Sequence, residues 1–313
     1  MTELSHIADL LKSFDNIEIL THHYPDGDTL GSGYGLCLML QALGKNARVV
    51  TSGTPARKYD FLKEGVAEQE FQRDYVVSVD VAAPSLLGEN QQEYEGIIDL
   101  CIDHHGTNSI EAKHKFVDAE AAATGEIIFE LANLLGVKLT PCMANCIYTA
   151  VSTDTGCFRY SNTTAKTHLI AAKTMEHTDR WFDINTEMFE IKTREKLYLE
   201  RMVYKTLEYA CGGKCALIYT TLDMQKEAGI TDDEMEGLAS IPRRIEGVLL
   251  GLTMREKADG TFKVSVRSNN DVDASAFCAR FGGGGHKAAA GCTVTGDLET
   301  AKAQLLKAAE EIL

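Results

Sequence analysis

The stretch "NIEILTHHYPDGDTLGSGYGLCLMLQALG", residues 16–44, predicts a strand, a loop and a helix in succession. Residues 16–23 form a short apolar run, and residues 29–44 form a longer apolar segment that ends at Gly44, the expected C′ residue of a helix. The loop between them concentrates histidines and aspartates. Polar residues that follow a strand in this way often lie where an α/β protein binds its ligand.

The same alternation continues through the first half of the chain. Further strand-like runs occupy residues 47–53, 74–81 and 96–105, and residues 124–136 form another helical segment. Alternating strands and helices predict an α/β fold in which a parallel sheet carries helices on both faces. We expect this domain to span residues 1–190.

The remainder of the chain predicts a second, smaller α/β domain at residues 213–313, joined to the first by a helical linker at residues 191–212. Its strands are expected at residues 215–222, 247–256, 261–268 and 289–295, and its helices near residues 231–240, 273–281 and 297–313.

Composition excludes several classes of protein. The chain has 313 residues and a formal net charge of −15, which disfavours a protein that grips long duplex nucleic acid through many phosphates. No apolar stretch reaches the roughly 18 residues that a membrane-spanning helix needs, and the N-terminal segment carries acids where a secretory signal carries Lys or Arg. We therefore expect a cytoplasmic protein with no membrane partner, whose nine cysteines are reduced thiols.

Acidic and histidine side chains end four of the apolar runs. Residues 22–28, Asp80 and residues 103–105 each follow a predicted strand, and Asp154 ends a helical run. Any one of them could be structural, because Asp after a strand often caps a helix or forms a turn; Asp28 is such a candidate cap. The coincidence of four sites favours convergence, since the carboxyl ends of parallel strands face one crevice.

Several carboxylates in one crevice repel each other and raise each other's pKa unless cations are present. The candidate ligands are four aspartates and two histidines, namely Asp26, Asp28, Asp80, Asp154, His22 and His104. Two divalent ions would balance the four carboxylates, and imidazole mixed with carboxylate suits Mn²⁺, Fe²⁺, Co²⁺ or Zn²⁺ better than Ca²⁺ or Mg²⁺. Mn²⁺ is our first choice. Two ions about 3.5 to 4 Å apart are typical of enzymes that hydrolyse phosphoesters.

The motifs "HHYPDGD", "VSVD", "IDHH" and "STDTG", in this order, resemble those of the DHH phosphoesterases. Towards the C-terminus, "KVSVRSNN" (263–270) and "FGGGGHKAAAG" (281–291) resemble the substrate-binding DHHA1 domain of that family. The resemblance implies a parallel-sheet DHH domain, a smaller α/β DHHA1 domain and an active site in the cleft between them.

The resemblance also implies roles for individual residues. One metal ion would be held by His22, Asp26 and Asp80, and the other by Asp28, Asp80, His104 and Asp154. Asp80 would thus bridge the two ions. Asp103 would orient its neighbours without binding metal itself, and His105 would act as a catalytic residue beside the substrate phosphate.

The glycine run lacks the Gly-Lys-Ser/Thr ending of a nucleotide P-loop, so we do not assign it that function. It could be a C-capping turn, but closely approaching backbone N–H groups would also bind phosphate or ribose. The planar guanidinium group of Arg267 could donate paired hydrogen bonds to a phosphate. The substrate-binding candidates are Arg267, Ser268, Gly283, Gly284, Gly285 and His286.

Within the family, a compact chain of this kind resembles the oligoribonucleases that degrade very short RNA and dephosphorylate 3′-phosphoadenosine 5′-phosphate (pAp). The resemblance therefore implies short single-stranded RNA, dinucleotides and pAp as partners of a monomer or homodimer. The alternative is a cyclic or linear dinucleotide phosphodiesterase on the same two domains. A catalytically silent nucleotide-binding protein is disfavoured, because every expected ligand position is filled.

Overall fold

The structure is a computed structural model that describes residues 3–230, 235, 237–269 and 272–313. The chain divides into two compact units, of which the first ends at Ile191 and the second is Lys192–Leu313. Each unit has its own sheet and its own apolar cores. No helix within the described ranges is long and apolar enough to span a bilayer.

The first unit contains a five-stranded sheet in which every pair of neighbours is parallel, as predicted. Its strands are β1 (Ile17–Leu20), β2 (Ala47–Val50), β3 (Tyr75–Val79), β4 (Leu100–Asp103) and β5 (His114–Val117), in the spatial order β2-β1-β3-β4-β5. Strand order reverses between β1 and β3. Ligands of open α/β sheets bind at the carboxyl edge of such a switch point.

The described residues of the first unit also form the helices α1 (Leu4–Ser13), α2 (Gly27–Ala42), α3 (Gln91–Tyr94), α4 (Thr124–Leu135), α5 (Pro141–Asp154), α6 (Ala165–Met175) and α7 (Trp181–Asn185). Ile17 and Ile19 of β1 point into the main core, where they meet residues of α1, α2, α4 and α5. Leu20 points to the opposite face, into a smaller core with Leu87 and Tyr94. The second face is therefore covered by α3 and by a 3₁₀ segment that contains Leu87.

Helix α2 begins two residues earlier than its apolar pattern predicts. Asp26, rather than Asp28, is its N-cap, because one carboxylate oxygen of Asp26 accepts the backbone N–H groups of Asp28 and Thr29 at 3.0 and 3.1 Å. The helix ends at Ala42, and Gly44 follows with φ +79°, as expected of a C′ glycine. Asp28 consequently lies in the first turn of the helix.

A glycine contact brings α2 and α5 together. A Cβ atom on Gly31 would lie 2.4 Å from the carbonyl oxygen of Cys146, and a Cβ atom on Gly27 would lie 2.3 Å from Oγ1 of Thr153. Only glycine permits this approach. The N-terminus of α2 and the C-terminus of α5 therefore meet, which places Asp28 near Asp154.

The second unit contains a mixed six-stranded sheet in the order β10-β11-β9-β8-β7-β6. Its strands are β6 (Glu208–Ala210), β7 (Cys215–Thr220), β8 (Leu250–Glu256), β9 (Thr261–Ser268), β10 (Gly284–His286) and β11 (Ala289–Thr295), and its helices are α8 (Arg194–Tyr204), α9 (Leu222–Ala228), α10 (Ala274–Ala279) and α11 (Leu298–Glu310). Strands β7 and β8 are parallel, and the other neighbours are antiparallel.

The expected linker at residues 191–212 includes α8, which packs within the second unit: Leu199 and Val203 lie in one cluster with Ile218 of β7. The helix expected near residues 231–240 falls largely outside the described residues, and its described part contains a 3₁₀ turn at Leu238–Ser240.

The sequence analysis did not identify β5, β6 or α9. Strand β5, with the sequence "HKFV", is half-buried along its whole length, so it shows no alternation of apolar and polar residues. The glycine run is also not simply a turn, because Gly284–His286 forms the edge strand β10 and pairs with β11.

Candidate metal centre

The predicted ligands converge at the carboxyl edge of the first sheet. His22 follows β1, Asp80 follows β3, and Asp103 ends β4 directly before His104. Because β1, β3 and β4 are neighbours in the sheet, their ends lie side by side. The cap and first turn of α2 add Asp26 and Asp28, and the last residue of α5 adds Asp154.

Asp80 occupies a backbone conformation that few side chains tolerate. Its φ is +59°, in the left-handed region, where Asp and Asn are the most common residues after glycine. Its backbone N–H donates to the carbonyl oxygen of Ile102 at 2.9 Å, and the residue is only 3% exposed. Strain held at a buried acidic residue is typical of functional sites.

The first group of candidate ligands is His22, Asp26 and Asp80. The Nε2 atom of His22 lies 3.7 Å from Oδ2 of Asp26 and 3.8 Å from Oδ2 of Asp80. These distances between ligand atoms leave room for an ion between them, where direct hydrogen bonds would be shorter.

The second group is Asp28, His104 and Asp154. The Nε2 atom of His104 lies 3.8 Å from Oδ2 of Asp28 and 3.7 Å from Oδ2 of Asp154. It is also 3.8 Å from Oδ1 of Asp80, whose other oxygen faces His22. Asp80 therefore lies 3.8 Å from a histidine of each group, and it also forms a third possible ligand group with His104 and His105.

The tautomer of His104 is set by a backbone group. Its Nδ1 atom lies 3.1 Å from the carbonyl oxygen of Ala121, and because a carbonyl only accepts, Nδ1 must carry the hydrogen. Nε2 then faces the three carboxylates. Metal-binding histidines commonly have their second nitrogen held in this way.

The N-terminus of α4 supplies neutral donors that the sequence analysis missed. The Thr124 hydroxyl donates to Oδ1 of Asp80 at 2.9 Å, and its backbone N–H donates to Oδ2 of Asp28 at 2.8 Å. Oδ1 of Asp28 accepts from Gly125 N–H and from the Ser32 hydroxyl, each at 3.0 Å. The small-residue segment directly before α4 was the available signal, since a helix N-terminus favours negative charge.

Burial and mutual repulsion make the cluster costly to ionise. Burial, followed by the charges of Asp28 and Asp26, raises the pKa of Asp80 well above its ordinary value. Burial and Asp28 raise the pKa of Asp154 to about 7. Burial also raises the pKa of Asp28, although His104 opposes the shift.

Asp26 differs from the other three carboxylates. Burial would raise its pKa, but His22 and the two capping N–H groups outweigh this effect and lower it. Taken together, four carboxylates and two imidazoles with predominantly raised acid pKa values fit a pair of divalent cations, which would offset the repulsion.

His105 lies beside this cluster and is held by Asp103. Its Nδ1 is 2.8 Å from Oδ1 of Asp103 and 3.6 Å from Oδ1 of Asp80. Burial would lower the pKa of His105, but the hydrogen bond and charge of Asp103 outweigh burial and raise it. Asn108, which the sequence analysis did not single out, donates to the other oxygen of Asp103 at 2.5 Å.

The remaining predicted site residues belong to the second unit. Arg267 lies on β9 and donates to the carbonyl oxygen of Val266, while Ser268 is buried and its hydroxyl donates to the carbonyl oxygen of Lys287 at 3.0 Å. A Cβ atom on Gly283 would lie 2.2 Å from the carbonyl oxygen of Gly291, so glycine is required there for packing. Gly284 and Gly285 pair with β11, and the side chain of His286 lies outside the described part of the structure.

Comparison with known families agrees with this two-domain fold. Residues 16–151 match the DHH family, N-terminal domain, and residues 214–313 match the DHHA1 domain. The chain belongs to the DHH/DHHA1 family of phosphoesterases. It is 33% identical to the bifunctional oligoribonuclease and PAP phosphatase NrnA of Thermus thermophilus, over 98% of this chain and 93% of that protein.

Solved structures show the same fold. An exopolyphosphatase-related protein from Bacteroides fragilis superposes with a TM-score of 0.90 at 24% identity, covering 98% of this chain and 95% of that one. RecJ from Thermus thermophilus, solved in complex with Mn²⁺, gives a TM-score of 0.56 at 17% identity, covering 99% of this chain and 55% of that one.

Proposed function

We propose that this protein is a manganese-dependent phosphoesterase that hydrolyses short oligoribonucleotides and pAp. The observation that carries the proposal is the pair of ligand groups on either side of Asp80, whose two carboxylate oxygens each lie 3.8 Å from a histidine of one group. Two closely spaced metal sites are typical of phosphoester hydrolysis. The oligoribonuclease and PAP phosphatase activities named for the Thermus relative identify the substrate class.

In this proposal His22, Asp26 and Asp80 hold one ion. Asp28, His104 and Asp154 hold the other together with Asp80. The mixture of imidazole and carboxylate supports manganese rather than Mg²⁺ or Ca²⁺. When bound, two such ions lower the pKa of water and polarise a phosphoryl oxygen.

Side chains of the protein then hold and transfer the proton that the leaving oxygen needs. Asp103 fixes Nδ1 of His105, and Asn108 fixes Asp103, so the imidazole is held with Nε2 as its remaining nitrogen. We assign to this Nε2 the protonation of the leaving oxygen, which suits a histidine whose pKa is raised by a neighbouring carboxylate.

The second unit is assigned to substrate binding. Arg267 would contact phosphate, and the backbone of Gly284 and Gly285 at the edge strand would approach the nucleotide together with His286. Ser268 and Gly283 would act indirectly in this assignment, because the Ser268 hydroxyl and the Gly283 backbone support the strand pair that presents these groups.

A substrate panel tests the proposed function. Turnover of di- to pentanucleotide RNA, a 25-nucleotide RNA, pAp and cyclic dinucleotides is measured with Mn²⁺ and after chelation. We expect kcat/KM for the short RNAs to exceed that for the 25-mer by at least about tenfold, because a chain with net charge −15 offers little attraction to long polymer.

Two results would change the assignment. Equal or faster digestion of the 25-mer would contradict the short-substrate model. Hydrolysis of cyclic dinucleotides without any linear RNA would instead identify a cyclic dinucleotide phosphodiesterase.

A further inference from the structure

The chain turns sharply just after Asp154, the last residue of α5. Gly156, Cys157 and Phe158 have φ of +57°, +58° and +61°, so three successive residues lie in the left-handed region. This conformation is unfavourable for the two of them that carry a Cβ atom. A strained segment persists only where the surrounding structure fixes it, and such segments are common at functional sites.

Hydrogen bonds and ring packing hold this turn in place. The backbone N–H of Cys157 donates to the carbonyl oxygen of Ser152 at 2.7 Å, and that of Phe158 donates to the Thr155 hydroxyl at 3.1 Å. The Phe158 ring packs against the main core of the first unit and stacks on the His168 ring, with 5.2 Å between the ring centroids. These contacts fix the direction in which the chain leaves α5.

The side-chain amide of Asn162 joins the end of α5 to the segment before α4. Its Nδ2 atom donates to the carbonyl oxygen of Ala122 at 2.9 Å and to that of Asp154 at 3.2 Å. Because carbonyl oxygens only accept, the nitrogen rather than the oxygen of the amide must face them, and it has two hydrogens to donate. Asn162 therefore links the backbone of a candidate metal ligand to the backbone that leads into α4.

Asp154 differs from the other three candidate aspartate ligands in how its side chain is held. The carboxylates of Asp26, Asp28 and Asp80 each accept a hydrogen bond from a backbone N–H or a hydroxyl group. Within the described part of the chain, the Asp154 carboxylate accepts no such bond, and its ion-pair partner there is His104 at 3.7 Å. The position of this carboxylate therefore depends on the backbone that carries it.

We propose that Asn162 is a positioning residue, which holds the Asp154 backbone against the segment before α4 and so presents the Asp154 carboxylate to the second metal ion. This inference rests on the proposed function, because it takes Asp154 to be a ligand. The N-terminus of α4 orients Asp28 and Asp80 directly, and Asn162 connects Asp154 to the same end of that helix. An aspartate in place of Asn162 would have no N–H to donate.

Manganese titration of Asn162→Ala, followed by electron paramagnetic resonance, tests the proposal. We expect one of the two binding steps to weaken about tenfold and the other to change by less than about threefold. The matched control is Asn133→Ala, which also removes an exposed amide that donates to a backbone carbonyl, but near the opposite end of α4. Circular dichroism should show that both variants are folded. If Asn162→Ala leaves both steps as strong as Asn133→Ala does, the positioning role is wrong.

A double-mutant cycle shows whether Asn162 acts through Asp154. The single variant Asp154→Asn should weaken or remove the same binding step. In that background, Asn162→Ala should change the remaining manganese affinity by less than about twofold, because the carboxylate that Asn162 positions is already gone. A further loss of about tenfold in the double variant would show that Asn162 acts on other ligands, and it would contradict the proposal.

The same titration, combined with the substrate panel, separates this inference from the proposed function. If wild type binds two Mn²⁺ ions and Asn162→Ala weakens one step, but neither short RNA nor pAp is hydrolysed, only the proposed function fails. If wild type is active and binds two ions that Asn162→Ala does not weaken, only the positioning role fails. A wild-type protein that binds no divalent ion would overturn both.

Discussion

Two buried carboxylates of the first sheet, Glu18 and Asp80, have opposite electrostatic environments. Glu18, in the middle of β1, is 3% exposed, and Arg48, Arg73 and the Tyr94 hydroxyl surround it. Asp80, just after β3, is also 3% exposed, but its ion-pair partners among the described residues are histidines. Burial raises the pKa of Asp80, and the neighbouring aspartates raise it further.

The difference separates a structural acid from a candidate metal ligand. Fixed guanidinium groups neutralise Glu18 permanently, so this carboxylate contributes to the fold and has no charge left for a ligand. The Asp80 cluster receives mainly neutral donors from α4, which orient its oxygens without cancelling their charge. Cations supplied from outside the chain would balance the charge of such a cluster.

The largest expected effect is that of Asp80→Asn. The substitution keeps the shape of the side chain but removes the charge shared by both ligand groups, so we expect phosphoester hydrolysis to fall by at least about a thousandfold. Manganese titration followed by electron paramagnetic resonance should show loss of bound metal, and circular dichroism should show a folded protein. Retained metal stoichiometry would contradict the bridging role of Asp80.

Glu18→Gln should have the reverse profile. Removing one partner of a buried ion pair leaves Arg48 without its counter-charge and Arg73 with Glu93 alone, and we expect a loss of about 3 kcal/mol in the free energy of unfolding, measured with urea. Manganese stoichiometry should not change. If Glu18→Gln reduces metal binding as strongly as Asp80→Asn does, the two carboxylates are not functionally distinct.

Much of the metal centre could be predicted from the sequence because its ligands are local to strand ends. His22, Asp80 and His104 each follow an apolar run, and parallel strands bring such positions together without further information. The role of Thr124 could not be predicted, because its hydroxyl reaches Asp80 across 44 positions of sequence. The ion pairs of Glu18 could not be predicted for the same reason, because Arg48 and Arg73 come from separate segments of the chain.

Thr124 provides a smaller but more selective test of the comparison. Thr124→Val keeps the backbone bond to Asp28 and removes the hydroxyl bond to Asp80, and we expect a tenfold to hundredfold loss of manganese affinity by calorimetry. Thr124→Ser retains a hydroxyl and should restore most of that affinity. Equal losses in both variants would show that the methyl group, rather than the hydroxyl, is what the site requires.

The pH dependence of stability in protein from which metal has been removed by a chelator should reveal the unbalanced negative charge of the Asp80 cluster. The pKa of Asp154 is raised to about 7 in the folded state, so the unfolded chain loses this proton at lower pH than the folded chain does. The stability of metal-free protein should therefore fall as pH rises from about 4 to 7. We expect Asp154→Asn to regain roughly 2 to 4 °C in melting temperature at pH 7.5 relative to wild type.

The matched control for this experiment is Asp9→Asn, which removes an exposed charge on α1. If Asp9→Asn raises the melting temperature at pH 7.5 by as much as Asp154→Asn does, the pH dependence arises from net charge rather than from the cluster.

The smallest effect should come from Ser32→Ala. The Ser32 hydroxyl is one of three donors to Asp28, and the backbone N–H groups of Thr124 and Gly125 remain after the substitution. Because those two bonds still fix both carboxylate oxygens, we expect manganese affinity to fall only about twofold to fivefold, in keeping with the loss of a single hydrogen bond of roughly 0.5 to 1.5 kcal/mol. The measurement is the same calorimetric titration as for Thr124→Val. If Ser32→Ala lowers manganese affinity as much as Thr124→Val does, Asp28 depends on every one of its donors. The two backbone bonds would then not be enough to orient its carboxylate.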